Sequence, residues 1–118
     1  MKFTLVTSGK RRETLTGATV MEYWPRIGEA LKGVYGIPEY LQAEVSTSKE
    51  RLFPLVNFID TPGLVDGPLT YPYNVEEILI RLAKLADLIF ILFGSSYFVI
   101  LSPNIYLATA AALLKVHN

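Results

Sequence analysis

From Phe3 to Thr7 the chain alternates, with Phe3, Leu5 and Thr7 on one side and Thr4 and Val6 on the other, the period of a β-strand. Ser8 to Glu13 is a polar loop, and Ala18 to Tyr23 reads as another short strand. At Trp24-Pro25 the period changes. Pro25 suits the first turn of a helix, Ile27, Leu31 and Val34 fall on one helical face, and Gly33 and Gly36 are placed to close it. Pro38 can open a second short helix through Val45 that buries Tyr40, Leu41 and Val45, and Ser46 to Glu50 is a polar turn. Leu55 to Ile59 is an almost continuous apolar run, the mark of a strand covered on both faces, in which Asn57 needs a hydrogen-bond partner if buried.

A helix is expected next. Asn74 is a good N-cap with Glu77 three residues on, and Val75, Ile78, Leu79, Leu82, Leu85 and Ala86 line one face. Glu77 and Arg81 can pair at i, i+4, and Arg81 and Lys84 favour the C-terminal end of the helix dipole. Leu88 to Phe93 is a second apolar strand. Strand, helix and strand together predict a right-handed βαβ unit with parallel strands over 55–93, hence an α/β fold. Residues 88–114 contain no charge. Gly94, Ser95, Ser96, Ser102, Pro103 and Asn104 interrupt that run, so it divides into a strand-like piece, Tyr97 to Leu101, and a terminal helix from Pro103 or Asn104 to Lys115. Insertion in a membrane, which needs roughly 20 apolar residues, is the alternative.

Composition narrows the classes. With 118 residues, the chain is one small domain or part of a larger one, and a 51% hydrophobic content is ample for a core. Eleven basic and eleven acidic residues cancel, so the whole molecule is not drawn to nucleic acid or to an anionic surface. No cysteine is present, which excludes disulfides and cysteine-ligated zinc and is compatible with a reducing, cytoplasmic setting. The first residues have no signal-peptide core. His117 is the single histidine, with no acid grouped around it, and cannot sustain a Ser-His-Asp triad.

Candidate chemistry concentrates at Asp60-Thr61-Pro62-Gly63. An apolar strand ending at an acid and then a Pro-Gly turn delivers a carboxylate to the lip of a sheet, where ligands of open α/β sheets bind. In nucleotide hydrolases of the P-loop class an Asp so placed helps hold Mg²⁺. Pro62 would stiffen the turn, and Gly63, without a side chain, would let its N–H approach a terminal phosphate. Taken alone, the four residues also read as an ordinary strand-terminating turn. Gly9-Lys10 is not a P-loop: Thr4 stands where the pattern needs its first glycine, and Arg11 where it needs Ser or Thr. Lys10-Arg11-Arg12 reads as a solvated basic loop, with a phosphate or lipid-headgroup contact as the alternative. Trp24, Tyr35 and Tyr40 read as packing aromatics, and Tyr71-Pro72-Tyr73 as local packing. The Gly- and Pro-rich loop from Thr61 to Pro72 is long enough to move with a γ-phosphate.

Asp60-Thr61-Pro62-Gly63 resembles the switch II motif of dynamin-superfamily large GTPases. Phe58-Ile59-Asp60-Thr61-Pro62-Gly63, then a helix, then Ala86-Asp87-Leu88-Ile89-Phe90-Ile91-Leu92-Phe93, is similar to the branch of EH-domain-containing proteins and sarcalumenin. Phe3 to Gly9, with Thr16-Gly17-Ala18 after it, resembles the strand and loop that follow switch I there. The resemblance spans 1–93 and implies a partial P-loop GTPase-like (Ras-like) three-layer fold, with 94–118 a divergent apolar extension. It implies GTP or ATP with Mg²⁺, held at Asp60, Thr61, Pro62 and Gly63 with Asp60 the indirect metal ligand, and nucleotide-driven self-association and membrane remodelling.

The resemblance stops at Phe93, where Gly94-Ser95-Ser96 replaces the aspartate common in that family, and no Asn/Thr-Lys-x-Asp base-reading motif occurs. The P-loop and the switch I threonine are not found either. The expectation is therefore a truncated G domain without appreciable hydrolysis of its own. The alternatives are a non-enzymatic fragment that binds a full-length G-domain partner and a small membrane-associated protein using 88–114.

Overall fold

The computed structural model describes residues 1–63, 71–93 and 97–101. The chain forms two compact units, Met1–Val75 and the part from Glu76 on. It is a small mixed α/β protein with a mixed four-stranded sheet and three α-helices among the described residues.

The first unit is built on β1 (Phe3–Ser8), β2 (Glu13–Thr16), β3 (Leu41–Ser46) and β4 (Phe58–Asp60), in the spatial order β2-β3-β1-β4. β1 and β3 run parallel, with Phe3 beside Leu41 and Ser8 beside Ser46. β2 is antiparallel to β3, and β4 antiparallel to β1. The alternation read in β1 is realised: Phe3, Leu5 and Thr7 are buried together with their neighbours Leu41, Ala43 and Val45. The opposite face, with Val6 among polar residues, is half-buried, and there Gln42 Nε2 donates to Thr4 Oγ1 at 3.1 Å. α1 (Gly17–Tyr23) packs on β3, and α2 (Pro25–Ala30) on α1, which buries Val20, Ile27 and Leu31.

Two expected elements in this part of the chain differ from what forms. Ala18 to Tyr23 is helix and not strand, because Thr16 caps the helix and accepts from Thr19 N, and α1 gains the apolar face of β3 to pack on. Residues 38–45 are a turn and then β3, not a helix. Leu41, Ala43 and Val45 alternate with Gln42, Glu44 and Ser46, and the period of two wins once β1 and β2 supply ladders on both sides. Pro25 does open a helix, and Gly33 and Gly36 have φ of +79° and +89° where it closes.

Leu55 to Ile59 is not a doubly covered strand. Phe53–Leu55 is a 3₁₀ turn, β4 is only three residues long, and β1 is its partner in the sheet. Leu55, Val56 and Phe58 are 80%, 42% and 48% exposed. Asn57 does find a partner: Thr7 Oγ1 donates to its Oδ1 at 2.7 Å.

In the second unit, α3 (Val75–Ala83, its first residue shared with the first unit) buries Val75, Ile78 and Leu82 along one stripe. Arg81 pairs with Glu77 at 2.8 Å, as its spacing predicts. β5 (Ile89–Phe93) and β6 (Tyr97–Leu101) pair antiparallel, Phe93 beside Tyr97. The expected parallel βαβ pairing over 55–93 is not among the ladders. β4 pairs with β1 and β5 with β6, and only three residues separate β5 from β6, a spacing that suits a hairpin and cannot hold a crossover. Phe90 is 54% exposed, so β5 is not buried on both faces. The turn at 66–67, the remainder of the loop at 64–70, the terminal helix expected up to Lys115, and His117 lie outside the described residues. Among the described residues no helix is long and apolar enough to cross a membrane.

Candidate functional site

Asp60 is the last residue of β4, exposed, opposite Thr4 in the ladder with β1. Because β4 is antiparallel to β1, the carboxylate stands at the amino ends of β1 and β3, not at their carboxyl ends. Thr61 is exposed, Pro62 is fully buried, and Gly63 is exposed. The segment after β4 is therefore anchored through the proline ring while Thr61 and Gly63 are exposed. Tyr71 ties it further, its hydroxyl donating to the Gly63 carbonyl at 2.9 Å. Gly63 has no positive φ, and a Cβ placed there meets nothing within 4 Å, so no contact among the described residues requires a glycine.

An aromatic cluster backs this end of the sheet. Tyr40 and Tyr73 stack with ring centroids 3.9 Å apart, and Phe3 meets Tyr73 edge-on at 6.2 Å. The Tyr73 hydroxyl donates to the Met1 carbonyl at 2.7 Å. Tyr40 and Tyr73 thus pack as their sequence context suggests, whereas Tyr35 is 85% exposed and takes no part in the core. Burial pushes the Tyr73 phenol above its ordinary value of 10.0, with Tyr71 and Tyr40 adding in the same direction. The folded chain thus holds this proton more tightly than the unfolded chain. The corresponding stability is complete below the unfolded value and is lost as pH rises through it towards the folded one. Urea midpoints measured across alkaline pH should fall on passing about pH 10, and fall less steeply in Tyr73→Phe. Equal slopes in the two proteins would contradict the burial of this phenol.

The donor set at the turn is one carboxylate, one hydroxyl and one backbone N–H. Mg²⁺ in nucleotide sites is held by one or two carboxylates together with substrate phosphates, and the phosphates by a backbone cradle and a cation. Among the described residues no ion pair reaches Asp60, and no three acids or histidines gather into a metal group. Lys2 lines a shallow depression of about 280 Å³ with Thr14, Thr16, Gly17, Pro38 and Gln42, on the side of β1 away from β4. The loop at Gly9-Lys10 leads into β2, not into a helix, and lies at the far end of β1 from Asp60. Four strand residues, roughly 13 Å, separate those ends. These residues do not by themselves fit a magnesium–nucleotide complex.

Asp60 ends β4, and Thr61, Pro62 and Gly63 follow it as irregular chain, while Lys10-Arg11-Arg12 lie at the other end of β1. The Tyr71 tether was not legible in the sequence, because no spacing rule links a tyrosine to a glycine carbonyl eight positions earlier. Comparison with protein-family models, with curated proteins and with solved structures finds no match to this chain.

Proposed function

We propose that the chain is a non-hydrolytic relative of the dynamin-type G domain, the switch II edge of a P-loop GTPase-like (Ras-like) three-layer fold. One observation supports this reading above the others. Two of the stretches that resemble the family, 3–9 and 58–63, pair as neighbouring strands, and the second carries an exposed Asp60 at the end of its strand, followed by buried Pro62. Gly63, which the described packing does not require to be glycine, leaves open room at the backbone where a phosphate would approach.

In this reading the protein acts by binding, not by turnover. Hydrolysis needs a phosphate cradle, a metal and a positioned water together, and the turn provides only a metal-side carboxylate and one N–H. Asp60 would reach Mg²⁺ through water once a partner G domain brought the cradle and the phosphates; Thr61 would orient the turn. The test is phosphate release from GTP and from ATP with Mg²⁺, using purified chain of verified fold. The expected result is a rate equal to the buffer blank for wild type and for Asp60→Ala. Turnover that disappears in Asp60→Ala would overturn the proposal.

A further inference from the structure

Register places together two basic segments that are far apart in the sequence, with an apolar turn beside them. Gly9 N donates to Ser46 O at 3.0 Å where parallel β1 and β3 both end, so the loops 9–12 and 47–51 leave the sheet side by side. Thr7 holds Asn57 at 2.7 Å, which brings the 3₁₀ turn Phe53–Leu55 and the residues around it to the same end. Lys10, Arg11, Arg12, Lys49 and Arg51 are all exposed there, against the carboxylates of Glu13 and Glu50, a local excess of three positive charges (five minus two) on a chain of net charge zero. Glu44, further into the sheet, accepts from Thr14. The Arg11–Glu13 pair at 3.4 Å has an arginine side chain 83% exposed, so it is solvated and leaves the field of the patch in place.

Next to these cations stand Leu52 and Leu55, 67% and 80% exposed. Lysines and arginines beside protruding aliphatic side chains match two features of an anionic bilayer: negative headgroups above, an apolar boundary a few ångströms below. A nucleic acid would satisfy the cations and leave the leucines in water. The geometry points to this end of the sheet as a docking surface for an anionic lipid membrane, with Lys10, Arg11, Arg12, Lys49 and Arg51 meeting the headgroups and Leu52 and Leu55 entering the boundary. The Asp60 turn is at the opposite end, so the inference stands independently of the nucleotide reading.

The test is co-sedimentation of the purified chain with phosphatidylcholine vesicles, with and without phosphatidylserine, at low and at physiological salt. A single-stranded oligonucleotide serves as the soluble polyanion. Wild type should bind only the phosphatidylserine vesicles, less tightly as salt rises. Lys10→Glu, Arg12→Glu and Lys49→Glu together should weaken that binding by about a hundredfold. Leu52→Ser with Leu55→Ser should weaken it by about tenfold while leaving any oligonucleotide binding unchanged. All five side chains are exposed, and circular dichroism checks that each variant is folded. Absence of vesicle binding, equal binding to neutral vesicles, or undiminished binding by either variant would overturn the inference. So would oligonucleotide binding as tight as that to phosphatidylserine vesicles.

Discussion

Gly17→Ala is expected to destabilise the protein by about 3 kcal/mol, a large share of what a small domain has. Gly17 is buried as the first residue of α1. A methyl group there would press on the carbonyl oxygens of Pro38 and Leu41, the latter 2.8 Å from it. Both obstacles are backbone. They cannot swing aside as a long side chain would, and Leu41 is held in ladders to β1 and leads into β3. The variant must either push α1 off β3 or bend the start of β3. Urea denaturation with circular dichroism measures the effect, and a midpoint within error of wild type would mean that α1 does not approach this close.

Phe3→Ala should cost a similar amount, about 3–5 kcal/mol. Phe3 is fully buried at the start of β1, beside Leu41 in register and edge-on to Tyr73. Removing the ring leaves a cavity under the aromatic cluster that rigid neighbours, ladder-bonded on one side and stacked on the other, can fill only in part. Phe58→Ala is the matched control. That ring is 48% exposed at the outer edge of the sheet, stacked on Phe53 at 6.4 Å, and its loss should cost less than half as much. Similar losses for the two phenylalanines would contradict the assignment of Phe3 to the core and Phe58 to the edge.

Local pattern was enough where one periodicity stood alone. β1, the opening of α2 at Pro25, the apolar stripe of α3 as far as Leu82 and the two apolar strands β5 and β6 follow from residue spacing, whereas Leu85 and Ala86, expected on that stripe, lie beyond the end of α3 at Ala83. It failed where two periods competed over a few residues. Tyr40, Leu41 and Val45 sit on a helical face, but Leu41, Ala43 and Val45 also sit on one strand face, and only the long-range ladders with β1 and β2 decide between them. Ala18 to Tyr23 had the converse fate: its β-branched residues suggest a strand, and the cap at Thr16 with packing on β3 makes a helix.

The candidate site was legible in composition and not in placement. That a strand ends at Asp60 could be read directly. That this strand runs antiparallel to β1, on the edge of the sheet and away from the basic loop, is a fact of topology. The same topology joins Lys49, Arg51, Leu52 and Leu55 to Lys10-Arg11-Arg12, a grouping no window along the sequence contains.

The proposal is that the segment at Asp60 is one edge of a nucleotide site and does not hold nucleotide without a partner. It is tested most directly by equilibrium binding of fluorescent GTP and ATP analogues to the folded chain, with and without Mg²⁺, alongside Asp60→Ala. The account predicts no binding that depends on Mg²⁺ and on Asp60. Saturable binding that requires both would show a working site within this chain and would contradict it.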